Sequence, residues 1–426
     1  MKVVLISNYR IGAETGTARI CEELAQFFSE HIQILYICLG EKLEIQKINK
    51  NLIYLKIPSF YFIRGYIPVL TYNVKKTIEK ELDVFSPDII HAHNIVYSAS
   101  IALEWSIKKS VPYVLTFHYL PAKGVEFIFL KNPFIKILKK VNTKLNERYT
   151  NLFLNSVRVV ITQNRHVEKS IRAINKKVPF VRINNGINLA SFLRINKKTI
   201  SKVKKLVYIG SYIPRKNQEY LLKAVQHLHS KIKLNLYGNT ITGRKYIKVL
   251  KRKIAKFHLK NISINGYLKR KKLVSVFQSS DFFVSASLME VQSLVIIEAL
   301  ASGIPVVSLE NETTKDWINI KNGFLLKRNS SPREFARKLE NLFSLSNADY
   351  RKLSQNARET SKNFDINLIY PKIINIYENV LKGRYSKRKK LFETIEFKEL
   401  RRLNTIVCFI MKFFTIRPSL RDEPEK

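Results

Sequence analysis

Two carboxylates, Glu290 and Glu298, stand eight positions apart in the segment 289–307, MEVQSLVIIEALASGIPVV. Acids inside so apolar a stretch need a reason. Leu294, Val295, Ile296, Ile297, Ala299 and Leu300 read as a buried helix, Ser302-Gly303 ends it, and Pro305 precedes a short strand at Val306-Val307. Glu298 then lies on the helix and Glu290 in the loop that feeds it. With Ser293 as N-cap, the amides of Leu294 and Val295 point out of the helix start, where a phosphate is favoured. An anion site flanked by two acids suggests a nucleotide-sugar, its diphosphate on the helix end and its hydroxyl groups donating to the carboxylates. The competing reading is a surface helix whose acids are only solvated.

Those residues need elements to hold them. Short apolar strands alternate with amphipathic helical stretches from the first residue onward, the pattern of a doubly wound parallel sheet. Residues 2–7 read as strand one. The loop 8–17 carries Gly12 and Gly16, and 18–28 follow as a helix with Ile20, Leu24, Phe27 and Phe28 inward. Further strands are read at 31–38, 88–93 and 112–118, the last two ending in His93 and His118. Ligands of open parallel sheets bind at the carboxyl ends of strands, which draws attention to these histidines. A second series begins near Lys204, with strands at 205–210, 232–237, 261–265, 282–285 and 306–308 and a helix at 219–229. Two similar sheets joined by one polar connector imply an interdomain cleft.

At 426 residues the chain suffices for two domains, each with its own core. Hydrophobic residues at 46% exclude a mainly disordered chain. Cys21, Cys38 and Cys408 have no metal-ligand spacing and build no disulfide framework, so a reducing compartment is expected. The opening MKVVLISNYR reads as a strand rather than a secretory signal, and no apolar run reaches the roughly 18 residues of a membrane span. The net charge of +42 calls for a polyanionic environment. Zinc-finger spacing and RNA-recognition signatures are absent from the sequence, which argues against nucleic acid. Basic residues interleave instead with aromatics and aliphatics at 127–140 and 387–412, as on segments that lie along a membrane surface. The alternative is Lys and Arg stems covering a helix face.

In order along the chain stand Gly16 before the first helix, HAH at 91–93, TFH at 116–118, NNGIN at 184–188, GSYIPRKN at 210–217, NGYL at 265–268, the Glu290/Glu298 pair with ALASGIPVV, and NGFLL at 322–326. Over roughly residues 1–382 the chain thereby resembles the family 4 retaining glycosyltransferases of the GT-B type. The resemblance implies an α/β fold of two Rossmann-like doubly wound domains facing an interdomain cleft, and transfer of a sugar from a nucleotide-diphosphate donor, UDP- or GDP-linked, without metal or cofactor. Lys216 matches the family's lysine on the diphosphate. Where the family has an arginine just after the glycine this chain has Ser211, and Arg215 is the candidate to supply that charge. Gly16 would let the backbone approach the donor, where a pair of glycines is usual and this chain has Thr15-Gly16. The resemblance sets His118 beside the donor sugar, Glu298 on the ribose and Glu290 on sugar hydroxyls. The catalytic set is thus His118, Glu290 and Lys216. Donor binding adds Gly16, Arg215, Ser293, Leu294, Val295 and Glu298. Between the two acids the family has Gly-Phe-Gly-Leu, against Val291-Gln292-Ser293-Leu294 here.

The expected layout is an acceptor-binding domain at 1–192, a linker at 193–203, a nucleotide-sugar domain at 204–364, a helix at 365–382 packing back toward the first domain, and a basic amphipathic tail at 383–426. A glycan or lipid-linked acceptor on an anionic inner membrane face, met from the cytoplasmic side, completes the expectation. The alternative is a catalytically idle scaffold that binds a membrane or a partner, suggested by Ser211 and the altered Glu290 loop.

Overall fold

The computed structural model describes residues 1–13, 15–62, 65–118, 133–193, 199–241 and 243–385. The basic-aromatic cluster at 127–140 lies outside them up to residue 132 and is described in backbone only beyond it. Outside them too lie residues 194–198 of the expected linker and the tail from 386. The chain divides into two units, Met1–Asn184 with the chain from Tyr370 onward, and Asn185–Ile369.

The first unit is built on strands of which the central ones carry apolar runs buried on both faces, the outer ones being partly exposed. They are β1 (Lys2–Arg10), β2 (Gln33–Gly40), β3 (Glu44–Lys47), β4 (Leu52–Phe62), β5 (Gly65–Pro68), β6 (Ile89–Ala92), β7 (Tyr113–Thr116), β8 (Val159–Thr162) and β9 (Phe180–Arg182). Their order is β3-β4-β2-β1-β6-β7-β8-β9, with β5 paired to β4. Val3, Val4, Leu5 and Ile6 are wholly buried, as a strand covered on both sides requires. All pairings are parallel except β3 and β5 on β4, two antiparallel additions that the βα alternation does not announce. β1 begins at the expected residue but runs on to Arg10, and β2 begins and ends later than the sequence reading, the ladder continuing to an Arg10–Leu39 pair after an irregularity past Ile6.

Helices α1 (Gly16–Phe28), α2 (Tyr72–Phe85), α3 (Ser98–Lys108), α4 (Pro133–Ser156) and α5 (Arg165–Ile174) belong to this unit. The Thr15 hydroxyl caps α1 by accepting from the Ala18 amide at 3.2 Å. On its inner face Ile20, Leu24 and Phe28 are buried, and Phe27 and Phe28 meet the ring of Tyr370 edge-on at 5.2 and 5.6 Å.

In the second unit all six described strands are parallel: β10 (Lys204–Ile209), β11 (Ile232–Tyr237), β12 (Ile262–Asn265), β13 (Phe282–Ser285), β14 (Val306–Leu309) and β15 (Gly323–Leu326). Their order is β12-β11-β10-β13-β14-β15. The helices are α6 (Ala190–Leu193), α7 (Gln218–Val225), α8 (Arg244–Lys256), α9 (Arg270–Gln278), α10 (Leu294–Ala301), α11 (Thr314–Trp317), α12 (Pro332–Phe343) and α13 (Asn347–Lys362); α14 (Ile366–Leu381) runs through the boundary between the units. The helix read at 219–229 stops at Val225, and turns carry the chain to β11. Residues 185–193 belong to the second unit, ahead of the polar connector. Ile187 pairs with Asp365 as an isolated bridge, and Phe192 packs on Phe277. At Gly323 an added Cβ would lie 2.0 Å from the Val306 carbonyl oxygen, so β15 can approach β14 only with glycine there.

Candidate active site

Strand order reverses between β10 and β13 in the second unit and between β1 and β6 in the first, and such switch points open a crevice at the carboxyl ends of the strands. In the second unit the loops leaving β10 and β13 carry the residues of interest. After β10 a 3-10 turn, Pro214–Lys216, presents Arg215 and Lys216, and Asn217 closes it in a left-handed conformation at φ +54°. After β13, residues 286–293 lead into α10.

Glu290 and Lys216, 74 residues apart, form an ion pair with side chains only 10% and 15% exposed. The Ser287 hydroxyl donates to the same carboxylate at 2.8 Å. Burial pushes the Glu290 carboxyl up, but the charge and hydrogen bond of Lys216, with Arg215 and Ser287, outweigh it and hold the carboxyl below its ordinary value. Arg215 donates to the Met289 carbonyl at 2.9 Å, and its own carbonyl accepts from the Leu288 amide at 3.0 Å. The 210–217 loop and the Glu290 loop are therefore stitched through both main chain and side chains. Ser211 is exposed, and its carbonyl accepts from Gln218.

Glu298 is wholly buried on α10, and Glu290 is 8% exposed. The reading of two solvated surface acids is thereby overturned. Ser293 occupies the N-cap position, but its hydroxyl makes no capping bond; its carbonyl accepts from Ile296 and Ile297. The expectation of Ser293 as a side-chain cap is corrected in that respect. The amides of Leu294 and Val295 belong to the first turn, which has no intrahelical acceptor for them. Gly238, the residue after β11, has no room for a Cβ, which would sit 2.3 Å from the Gly210 carbonyl oxygen.

The Glu290 loop lacks the expected glycines and is fastened by side chains instead. Asn311 donates to the Ser287 carbonyl at 3.0 Å, and the Thr313 hydroxyl lies 3.3 and 3.1 Å from the carbonyls of Glu290 and Val291. Gln292 accepts from the Asn185 amide at 2.8 Å and donates to the Asn185 carbonyl at 3.0 Å. Ser287, Gln292, Asn311 and Thr313 were not singled out from sequence; the departure from Gly-Phe-Gly was the one signal pointing at Gln292.

In the first unit the loops after β1 and β6 flank the switch point. Gly16 is the first residue of α1, and Gly12, at φ +71°, donates its amide to Glu22 at 3.0 Å. His118 Nε2 lies 2.7 Å from His93 Nδ1, with the rings stacked. His91 is fixed from both sides, by the Tyr377 hydroxyl at 2.6 Å and the Thr116 hydroxyl at 2.7 Å. Burial lowers all three histidines, His91 and His118 to about 3, so they are neutral at pH 7. His91 is a packing residue. His118, partly exposed, keeps a neutral ring beside the Gly16 loop's end of the sheet. Cys21, His93 and His118 bring one ligand atom each within 4.8 Å of the others, a thiol and two imidazoles, with Cys21 as the member sequence spacing did not reveal. Among the described residues no other such group occurs.

Two Rossmann-like sheets, the second carrying a cationic turn and a buried carboxylate at its switch point, define a GT-B protein of the nucleotide-handling kind. Residues 12–191 match the Glycosyltransferase Family 4 model and residues 192–360 the Glycosyl transferases group 1 model. The chain belongs to glycosyltransferase family 4, whose members are retaining enzymes that use nucleotide sugars. An uncharacterized glycosyltransferase of Methanocaldococcus jannaschii is 22% identical, covering 78% of this chain and 86% of its own length. The alpha-monoglucosyldiacylglycerol synthase of Acholeplasma laidlawii is 23% identical over 63% of this chain and 69% of its own, and the capsular polysaccharide biosynthesis glycosyltransferase CapH of Staphylococcus aureus 24% over 70% and 78%. Among solved structures, sucrose-phosphate synthase of Thermosynechococcus elongatus superposes with a TM-score of 0.72 at 16% identity, covering 90% of this chain and 99% of that one. HepE of Anabaena, in complex with UDP and glucose, gives 0.67 at 15% identity, over 89% and 100%.

Proposed function

We propose that the protein is a hexosyltransferase that moves a sugar, with retention and without a bound metal, from a UDP- or GDP-linked donor to a glycan or lipid-linked acceptor in surface polysaccharide or glycolipid assembly. The observation that carries this reading is the buried Lys216–Glu290 pair, with Arg215 beside it, at the switch point between β10 and β13. A diphosphate needs cations and aligned amides to leave as an anion. Lys216 has three donors, enough to hold Glu290 and a phosphate oxygen together. Arg215 and the first amides of α10 add to the same positive field. Glu298 serves the ribose and Glu290 the hydroxyls of the sugar, while His118, neutral, meets sugar or acceptor. No step requires a carboxylate nucleophile: the acceptor attacks from the leaving-group face, and the departing phosphate oxygen takes its proton.

A glycolipid synthase among the relatives and HepE with UDP-glucose support the lipid-linked acceptor and the UDP donor. The charge of +42 supports an anionic membrane face as the place of reaction, on the cytoplasmic side. Among the described residues no helix is long and apolar enough to cross a membrane. On the first unit Tyr61, Tyr66 and Tyr72 are exposed, with Arg10 over Tyr66 and Lys76 over Tyr72, an aromatic and basic surface suited to headgroups. The test is a panel of UDP- and GDP-hexoses with the anomeric configuration of product read by NMR. Turnover with retention upholds the reading; binding and turnover of none of them establishes an idle scaffold instead.

A further inference from the structure

The Glu290 loop joins a part of the molecule that the donor-site reading does not use. Gln292 stands where the resemblance has phenylalanine, between the two acids, and its amide spans the main chain of Asn185, 107 residues away. Asn185 is itself buried, and its amide and carbonyl both find their partner in this one side chain. It is also the first residue of the second unit, where the chain arrives from Asn184. The residues that follow are bound to the same unit. The Ile187 amide donates to Phe364 and the Ile187 carbonyl accepts from Ile366, at 3.0 and 3.1 Å, and Arg270 donates to the Asn188 carbonyl.

We infer that Gln292 is a positioning residue, which sets donor affinity by clipping the Glu290 loop and the start of α10 to the entry segment at Asn185. A loop built on glycines has more conformational freedom to lose on binding; this loop is fastened by Gln292, Thr313 and Asn311 without a ligand. Ordering that is complete before binding does not weaken binding. The inference rests on the nucleotide-sugar reading of the same site.

Gln292→Met keeps the length of the side chain and removes both hydrogen bonds, and Gln292→Glu keeps the acceptor and loses the donor. Calorimetry with UDP and with GDP, steady-state donor turnover, thermal melting and amide hydrogen exchange at Asn185 and Gly186 are measured on the full chain. The expected result is a dissociation constant and donor KM raised about tenfold by Gln292→Met, kcat changed less than twofold, faster exchange at Asn185, and Gln292→Glu in between. Nucleotide affinity within twofold of the wild type in Gln292→Met overturns the inference. So does an equal fall of kcat and stability without a KM effect, which marks a structural role alone. A wild-type chain that binds neither nucleotide overturns the donor reading instead, and with it the affinity role. Faster Asn185 exchange in the variant then still upholds the clip, and unchanged exchange overturns that too.

Discussion

Lys216→Met is the perturbation that the structure makes most quantitative. Methionine keeps most of the lysine stem and removes its charge, so burial then acts on Glu290 opposed only by Arg215 and the Ser287 hydrogen bond. At contact distance an ion pair in a medium of effective dielectric 20 is worth about 4 kcal/mol. Removing one partner of a buried pair costs about 3–5 kcal/mol, against about 0–1 for a surface pair. Side chains 10% and 15% exposed place this pair with the buried class. The sign with pH follows from the direction of each shift. In the wild type the folded carboxyl lies below its ordinary value, so its contribution is present above the ordinary carboxylate range and is lost as pH falls through the lowered value. In Lys216→Met burial, the largest influence on the carboxyl, outweighs what Arg215 and Ser287 still contribute and raises it, so the loss is full at pH 8 and shrinks as pH falls toward 5. Glu290→Gln in the Lys216→Met background removes the stranded charge and restores most of the stability. Urea unfolding of the wild type, Lys216→Met, Glu290→Gln and the double variant at pH 8 and pH 5 completes the cycle. A loss below about 1 kcal/mol, equal at both pH values, would refute the reasoning.

Glu298→Ala is expected to weaken nucleotide binding by about tenfold to a hundredfold, the loss of hydrogen bonds to a charged acceptor, while Glu290→Ala mostly lowers kcat; calorimetry and initial rates separate the two. Gly323→Ala should destabilise the second unit by about 1–3 kcal/mol, because its Cβ would meet the backbone of Val306 and not a movable side chain, as melting will show. His91, His93 and His118 of the first unit are held below their ordinary values, so they favour the fold above about pH 6.5 and cost stability as pH falls from there toward 3; His91 and His118 resonances should show no titration between pH 8 and pH 5.

The parallel sheets were legible because strands buried on both faces leave unbroken apolar runs, such as Val3 to Ile6 at β1. The antiparallel β3 and β5 were not, since they pair on β4, and no element was legible in the sequence between residues 38 and 88. Glu290 and Lys216 were each legible as positions in a motif, yet their pairing was not, because 74 residues separate them and nothing local requires it. Ser293 was legible as a cap position but not in how its hydroxyl turns. Thr116 closed a recognisable TFH triplet, whereas its counterpart on His91, Tyr377, lies 286 residues on and leaves no local trace. Contacts of that range are decided by packing, which a linear pattern does not record.

The first unit is interrupted in sequence, and this has a bearing on how the chain is made. Synthesis delivers its nine described strands and α1 first, with Phe28 and His91 still lacking Tyr370 and Tyr377. The second unit, from Asn185 to Ile369, emerges as one uninterrupted stretch and can finish before the unit that was begun ahead of it. Until α14 leaves the ribosome, the earlier unit carries an open aromatic face, a place for a chaperone to hold and for a stop codon to do its damage.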